Sequence, residues 1–351
     1  MKKILIIFIF YNLAILSQSI GWKDVSPGKN IIGIKTNGTL WYDMDSDDKI
    51  EQVNDEKNWE RVFTASNFNI AMKNDGTLWA WGDNFYGQLG IDSRSFEKTP
   101  KKIGNDYWID VSIQDEHTFA VKKDGTLWGW GKNSNNMIYN DFHTTWVLKP
   151  YQIGTDNNWI KVATAIDYTL ALKKDGTLWA WGSNYWGNVG LGEDKKGTLT
   201  VLPIQIGMEN DWLNIFTSKL GSLSLAIKNN GTLWAWGYGA RDLDGLNDDK
   251  YHFPQQVGID SDWKLVVSES GYKILAIKMD GTLWGVGACV GMGNERISKF
   301  QQMGIENDWI YVSQGVPGEF FAIKSDNSLW GWGFTNKFGK KGTICTPVKI
   351  E

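Results

Sequence analysis

The side chains that most often carry out chemistry are few in this chain and are not grouped. Three histidines and two cysteines are scattered over 351 residues, and their spacing matches no zinc site. His117 follows Asp115 and Glu116, yet no nucleophile or second histidine pairs with it, so we interpret it as structural. The sequence therefore predicts a protein that is not an enzyme and has no catalytic residue, metal site or cofactor.

Acidic residues occur shortly before several tryptophans, and carboxylates at such positions could serve as calcium ligands or as paired catalytic groups. They are Asp211, Asp260, Asp262 and Asp308. Each occurs in phase with a predicted turn, and turns favour Asp and Asn because these side chains bond to the local backbone. We interpret these four residues as turn formers rather than as ligands.

Seven aromatic residues form the candidate binding site, and all lie in variable segments between the repeated elements of the chain. They are Phe85, Tyr86, Trp146, Tyr185, Trp186, Tyr238 and Tyr251. Exposed tryptophan and tyrosine side chains are typical of protein-binding surfaces. The alternative is that the rings fold back over the edge of their own sheet. That alternative is strongest for the two adjacent pairs, and Trp146 is the strongest binding candidate.

The elements that must position these residues come from one tryptophan-rich unit that occurs seven times. Its clearest copies read Asp-Gly-Thr-Leu-Trp-Ala-Trp-Gly, at residues 75–82 and 175–182. The copies centre on Gly38, Gly76, Gly125, Gly176, Gly231, Gly281 and Asn327. Asp-Gly or Asn-Gly between alternating apolar runs is a strong hairpin signal. Each copy therefore predicts a hairpin with a type I′ turn.

Tryptophans mark fixed positions of every copy, and 19 of the 21 in the chain follow the pattern. One group precedes the hairpins: Trp22, Trp59, Trp108, Trp159, Trp212, Trp263 and Trp309. A second group lies on the returning strands: Trp41, Trp79, Trp128, Trp179, Trp234, Trp284 and Trp330. Five copies add a third tryptophan two residues later, and alternation along a strand places it on the same face as the second. We expect these rings to form the core.

A unit of about 50 residues with four short strands has the size of one propeller blade. The first repeat begins at Gly21 and Trp22, partway through the repeated unit. Residues 347–351 end just before the point at which an eighth copy would require the same Gly-to-Trp segment. The C-terminal strand is therefore expected to lie beside the first blade and close the ring. The predicted fold class is all-β: a seven-bladed β-propeller over residues 20–351.

The first 19 residues have the pattern of an export signal. Lys2 and Lys3 precede an apolar run over residues 4–16, and Ser17 and Ser19 supply the small residues of a cleavage site. The alternative is a buried or anchoring N-terminal helix. We predict a secreted or periplasmic protein with no membrane span after cleavage. Export permits a disulfide between the two cysteines without requiring one.

The charge balance excludes one class of partner. The chain has 36 basic and 40 acidic side chains, a net charge of −4, whereas nucleic-acid-binding proteins carry a basic surface. We expect no nucleic-acid partner and a monomeric protein.

The repeated motif resembles that of the regulator of chromosome condensation family. Its Asn-x-x-Gly-Gln-Leu-Gly element is intact at residues 84–90 and nearly intact at 184–190, and the resemblance extends over roughly residues 21–351. It implies a propeller and, for His117, a residue that the family often places there. Founding members are nuclear exchange factors for a small GTPase, but the export signal and acidic net charge depart from them. Relatives also include a plant ultraviolet-B receptor and a secreted bacterial inhibitor of β-lactamase.

These observations favour an exported, non-enzymatic scaffold that binds a protein or cell-envelope partner through one loop face. The lysine-, asparagine- and isoleucine-rich composition is typical of an AT-rich bacterial genome. The alternative is a guanine-nucleotide exchange factor-like regulator of a small GTPase. A third class, an exported lyase or glycosidase, has no matching group of residues in the sequence.

Overall fold

The computed structural model describes residues 20–28, 31–43, 50–139, 143–218, 223–240, 243, 251–268, 273–290, 296–315, 318–334 and 343–350. The predicted export signal, residues 1–19, lies outside these described residues. Within them, none of the helices is long and apolar enough to cross a membrane.

The described residues form seven antiparallel sheets of four strands each, which we number as blades 1 to 7. Blades 1 and 2 contain β1 (Trp22–Pro27), β2 (Ile31–Lys35), β3 (Leu40–Asp43), β4 (Ile50–Gln52), β5 (Trp59–Thr64), β6 (Phe68–Lys73), β7 (Leu78–Gly82) and β8 (Glu97–Lys102). Blades 3 and 4 contain β9 (Trp108–Gln114), β10 (His117–Lys122), β11 (Leu127–Lys132), β12 (Trp146–Gln152), β13 (Trp159–Thr164), β14 (Tyr168–Lys173), β15 (Leu178–Ser183) and β16 (Leu199–Gln205). Blades 5 to 7 contain β17 (Trp212–Thr217), β18 (Ser224–Lys228), β19 (Leu233–Trp236), β20 (Gln255–Gln256), β21 (Trp263–Ser268), β22 (Ile274–Lys278), β23 (Leu283–Ala288), β24 (Arg296–Gln302), β25 (Trp309–Gly315), β26 (Glu319–Lys324), β27 (Leu329–Phe334) and β28 (Thr343–Lys349). Three short 3-10 helices lie between strands, at Ser134–Asn136, Glu193–Lys195 and Tyr238–Ala240.

The strands of each blade follow one another in sequence order, and the first strand lies innermost. The first strands contact one another around the whole ring, from β1 to β5 and onward to β25, which contacts β1 again. The fourth strands lie outermost and are largely exposed, as in β8 and β12. The predicted seven-bladed propeller is therefore confirmed.

The ring closes between blades 7 and 1, where the two ends of the repeat array meet, but the pairing of the last strand differs from the expectation. β28 is hydrogen-bonded to β27 as the outer strand of blade 7, not to a strand of blade 1. Blade 1 has no vacant position for it, because β1–β4 already form a complete four-stranded sheet. Closure comes instead from packing of Trp22 and Val25 against Phe321 and Leu329.

The hairpin between the second and third strands occurs in all seven copies, but its turn is not the predicted type I′. Only the glycine has positive φ, for example Gly76 at 86°, and Asn327 takes this role in blade 7 at 64°. In blade 2 the N–H of Gly76 donates to the carbonyl oxygen of Lys73 at 2.9 Å, and the N–H of Lys73 donates to that of Thr77 at 3.0 Å. This is the longer hairpin loop in which a turn is followed by one left-handed residue.

The tryptophans form the core between blades, as predicted, although those on the returning strands, such as Trp79, are only half-buried. Trp59 is 1% exposed and the equivalent residues of the other blades are 1–4% exposed. Trp81 packs with Ile32 and Leu40 of the preceding blade, whereas Ala80 faces the following blade and packs with Trp108. The large rings of one blade thus fit against the small residues of its neighbour.

Successive antiparallel strands place the connections alternately on the two faces of the ring. One face carries the turns between first and second strands and the loops between third and fourth strands; we call it the loop face. The opposite face carries the hairpins between second and third strands and the connections from one blade to the next; we call it the hairpin face. All seven predicted aromatic residues belong to the loop face.

Candidate functional site

The repeated hairpin motif has a structural role in every blade. In blade 2 the Thr77 hydroxyl donates to the Asp75 carboxylate at 2.7 Å, and the indole N–H of Trp79 donates to Thr77 Oγ1 at 3.2 Å. The backbone N–H of Thr77 also donates to Asp75, and these hydrogen bonds lower the pKa of the carboxyl group. The motif therefore fixes the hairpin to its own tryptophan and offers no free catalytic group.

A lysine at the end of each second strand lies between the two tryptophan rings of its blade. In blade 2 the ammonium nitrogen of Lys73 lies 4.8 Å from the Trp59 ring and 4.1 Å from the Trp79 ring. It also pairs with Glu56 at 2.8 Å. The equivalent lysines are Lys35, Lys122, Lys173, Lys228, Lys278 and Lys324. Such cation–π contacts stabilise the stack between strands.

The acidic residues that the sequence assigned to turns are the partners of these lysines. Asp211 pairs with Lys228 at 3.0 Å, and Asp260 and Asp262 both pair with Lys278. Asp308 pairs with Lys324 at 3.1 Å. The turn interpretation missed this role, although a lysine follows each of these acidic residues 16 to 18 positions later in the sequence. Among the described residues, no group of His, Cys, Asp and Glu is arranged to hold a metal ion.

His117 has the structural role that we inferred. Its ring is 1% exposed, and its Nε2 lies 2.9 Å from the hydroxyl of Thr164 in the next blade. Burial lowers the pKa of His117 to about 4, so the ring is neutral near pH 7. A buried, neutral histidine that is bonded to a neighbouring blade contributes to packing between blades.

The two cysteines, whose pairing the sequence left open, form a disulfide. Their Cα atoms are 4.6 Å apart. Cys289 follows β23 of blade 6, and Cys345 lies in β28, the outer strand of blade 7. The bond therefore joins the last two blades and anchors the C-terminal strand.

Three of the predicted aromatic residues gather around an arginine at the boundary of blades 2 and 3; we call this group the Arg94 cluster. The guanidinium carbon of Arg94 lies 4.7 Å from the Phe85 ring and 3.9 Å from the Trp146 ring. Its Nε donates to the carbonyl oxygen of Phe85 at 2.6 Å. Tyr86 packs edge-on against Phe85 and lies beneath Lys132. Phe85 remains 55% and Trp146 40% exposed.

The other four aromatic residues form a row at the boundary of blades 4 and 5; we call it the Tyr251 cluster. Successive ring centroids are 4.8 Å apart from Tyr185 to Trp186, 5.1 Å from Trp186 to Tyr238 and 6.1 Å from Tyr238 to Tyr251. The N–H of Tyr238 donates to the carbonyl oxygen of Trp186 at 2.9 Å, so the backbone holds two neighbouring blades together beneath the rings. Tyr185 is 60% and Trp186 41% exposed.

Charged side chains surround the end of this row. The Tyr251 ring packs on His252, whose Nε2 contacts the carboxylate of Glu193. Burial lowers the pKa of His252, although the Glu193 carboxylate opposes the shift. The Lys196 ammonium donates to the Tyr251 hydroxyl at 3.4 Å. Each cluster therefore combines partly exposed rings with a cation held against them.

The predicted site residues thus fall into two clusters at equivalent positions rather than into a continuous ring. The fold-back alternative applies to part of the set, since Tyr86 and Tyr251 are half-buried while the other five stay exposed. Sequence reasoning missed Arg94, Glu193, Lys196 and His252. Their spacing in the repeat gives no signal, because the contacts join different parts of a loop or different blades.

A second group that the sequence analysis missed lies on the innermost strands, two residues after each first tryptophan. It comprises Asp24, Arg61, Asp110, Lys161, Asn214, Leu265 and Tyr311. Asp24 accepts the backbone N–H of Val62 at 2.8 Å, and Asp110 accepts that of Val162 at 3.0 Å. Arg61 pairs with Asp110 at 3.1 Å.

These contacts satisfy backbone groups that the inner strands leave unpaired on the side of the ring centre. Burial raises the pKa of Asp24, and Tyr311 also donates a hydrogen bond to it. A cavity of about 380 Å³ lies beside them and is lined by residues that include Arg61 and Tyr311. Apart from the apolar Leu265, the group is best explained as a polar seam between the innermost strands.

The ring of seven four-stranded blades places this protein in the class of β-propellers. In this class the sheets form the scaffold, and the loops carry the functional side chains. Residues 75–121 and 108–136 match models of the regulator of chromosome condensation (RCC1) repeat. This part of the chain therefore has repeats of the RCC1 type.

Proteins similar to this chain come from a plant, from human and from yeast. The ultraviolet-B receptor UVR8 of Arabidopsis thaliana is 26% identical over 202 residues, which are 53% of this chain and 43% of the receptor. The match thus spans less than half the length of that relative. Human WBSCR16 superimposes with a TM-score of 0.74 at 16% identity, over 86% of this chain and 84% of that one. Prp20p of Saccharomyces cerevisiae, described with its binding to Gsp1p and histones, gives 0.70 at 19% identity, over 85% and 78%. At these identities the structural likeness shows the fold.

Proposed function

We propose that the protein is a non-enzymatic scaffold that binds a protein or cell-envelope partner through the Arg94 and Tyr251 clusters of its loop face. The observation that carries this proposal is the position of Arg94 between the exposed rings of Phe85 and Trp146. Tryptophan, tyrosine and arginine are the residues that most often dominate binding energy at protein interfaces.

The clusters are also held in place before any partner arrives. Arg94 is fixed by its hydrogen bond to Phe85, and the row from Tyr185 to Tyr251 is fixed by ring contacts and by the backbone bond between Tyr238 and Trp186. Side chains that are already ordered lose less conformational entropy when they bind. This supports a binding role for the loop face.

Export belongs to the same proposal. The disulfide between Cys289 and Cys345 is of the kind that persists in oxidising compartments, and the pattern of the first 19 residues is that of an export signal. The acidic net charge of −4 argues against nucleic acid as the partner. A monomer suffices for this function, because both clusters lie on one chain.

The test uses the mature chain, residues 20–351, immobilised and exposed to the cell-envelope and culture fractions of the native host. We expect a specific partner that is lost from the W146A/W186A variant. Tyr107 supplies the matched control: it is 54% exposed on the hairpin face, so Y107A should retain the partner. Equal capture by W146A/W186A and the unmodified chain would contradict the proposal.

A second candidate function is suggested by the fold of Prp20p, whose description includes binding to Gsp1p. On that alternative, the protein is an exchange factor-like regulator of a small GTPase in the cytoplasm. Cell fractionation separates the two: a processed form outside the cytoplasm supports the exported scaffold, and an unprocessed cytoplasmic form supports the GTPase regulator.

A further inference from the structure

The hairpin face carries an unusual set of exposed aliphatic residues. In the connections into blades 5, 6 and 7, Met208 is 96% exposed, Ile259 is 93% exposed and Ile305 is 94% exposed. The equivalent positions in the connections into blades 3 and 4 are the polar Asn105 and Thr155. The aliphatic residues therefore occupy one arc of the face rather than the whole ring, and turn formation does not require them.

The hairpin of blade 6 lies between two of these connections and adds a fourth exposed apolar residue. Met279, which is 60% exposed, donates its backbone N–H to the carbonyl oxygen of Asp262 at 2.8 Å. Gly281 of the same hairpin accepts the N–H of Trp309 at 3.1 Å. One hairpin thus contacts the connection that carries Ile259 and the connection that carries Ile305. We call Met208, Ile259, Met279 and Ile305 the aliphatic arc.

Carboxylates flank the arc. The three connections, residues 207–211, 258–262 and 304–308, contain six acidic residues and no lysine or arginine. The aspartates among them pair with Lys228, Lys278 and Lys324, whose side chains are only 9–10% exposed, while the aspartates remain 40–47% exposed. Glu209 and Glu306 bond to the backbone N–H groups of Met208 and Ile305. Six carboxylates against three largely buried ammonium groups leave the surface around the arc with an excess of negative charge.

We propose that the aliphatic arc is a docking surface for a basic polypeptide segment of another protein, one in which lysine or arginine side chains accompany aliphatic ones. Burial of Met208, Ile259 and Ile305 supplies the apolar contact, and the flanking carboxylates select positive charge. The same carboxylates repel anionic lipid headgroups and nucleic-acid phosphates. They also repel the arc of a second copy of this chain. The surface lies opposite the two aromatic clusters and is independent of them.

The probe is a fluorescein-labelled peptide of alternating lysine and leucine, with lysine–serine and glutamate–leucine peptides as matched controls, measured by fluorescence anisotropy. We expect the lysine–leucine peptide to bind the full chain and to bind M208N/I259N/I305N more than about tenfold more weakly, a loss of about 1.4 kcal/mol. E209Q/E306Q should bind the peptide more weakly than the unmodified chain and with a smaller dependence on salt, because it has lost two of the carboxylates whose attraction salt screens. N105A/T155A, altered at the equivalent positions of other blades, should bind like the unmodified chain.

Folding is not in question for these variants, because the three replaced side chains are almost fully exposed; near-ultraviolet circular dichroism verifies it. Retained affinity in M208N/I259N/I305N would overturn the proposal, as would equal binding of the lysine–serine peptide. Binding of phosphatidylcholine–phosphatidylglycerol vesicles in place of the peptide would also overturn it. W146A/W186A should bind the peptide as tightly as the unmodified chain does. This result therefore does not depend on whether the aromatic clusters bind a partner.

Discussion

The backbone N–H of Trp22 donates to the carbonyl oxygen of Asn327 at 2.8 Å, and this bond joins two residues near opposite ends of the chain. The same bond recurs between every pair of neighbouring blades: Trp108 donates to Gly76 at 2.8 Å, and Trp309 donates to Gly281 at 3.1 Å. The hairpin of one blade thus fixes the first strand of the next. The boundary that closes the ring is built like the other six.

Asn327 should tolerate glycine but not alanine. Its φ of 64° lies in the left-handed region, which costs an alanine on the order of 1 kcal/mol while glycine adopts it freely. We expect N327A to lower the free energy of unfolding by about 1 kcal/mol and N327G to leave it nearly unchanged. Urea titration followed by tryptophan fluorescence measures both. Equal stability of the two variants would show that backbone strain at this position is unimportant.

Lys73 should contribute to stability through its position between two indole rings. K73M keeps a long apolar side chain but removes the positive charge, and we expect it to cost on the order of 1–2 kcal/mol. The neighbouring Lys57 is exposed, so K57M should change stability by less than about 0.5 kcal/mol. Chemical denaturation measures both variants. If K73M is as stable as K57M, the positive charge of Lys73 does not contribute to stability and only the packing of its side chain does.

His117 should make the protein less stable in mild acid. Its pKa of about 4 in the folded chain lies below the ordinary value of 6.5, so between these values the unfolded chain binds a proton that the folded chain does not. Stability should therefore fall as the pH falls from about 6.5 to about 4, by roughly 3 kcal/mol in all. H117Q should lack this part of the pH dependence. H143Q, altered at an exposed histidine, should keep it, and the pH dependence of the urea midpoint distinguishes the two.

The disulfide should stabilise the last two blades. Cys289 and Cys345 are 56 positions apart, and a cross-link over such a loop typically contributes about 2–4 kcal/mol by restricting the unfolded chain. We expect C289S/C345S to lose this amount in equilibrium unfolding. Reducing agent should destabilise the unmodified chain to a similar extent and leave C289S/C345S unaffected. An identical response of both proteins to the reductant would rule out the bridge as its cause.

Several features of the fold and site were predictable because they repeat. The Asp-Gly steps marked the hairpins, and the paired tryptophans marked the core. The turn type was not predictable, because it depends on where strand pairing resumes, here between Lys73 and Thr77. The aromatic candidates were identified in the variable segments between the repeated elements, and their role in binding stays a prediction. Arg94 was not found, since only folding brings it between Phe85 and Trp146.

The sequence by itself determined the number of blades, the four-strand unit and the side chains that fill the space between sheets, because these are encoded locally in every repeat. Only the tertiary structure decided which residues meet across blade boundaries: Asp24 with Val62, Cys289 with Cys345, and Trp22 with Asn327. Such contacts depend on how successive sheets stack and curve into a ring, and no single repeat contains that information.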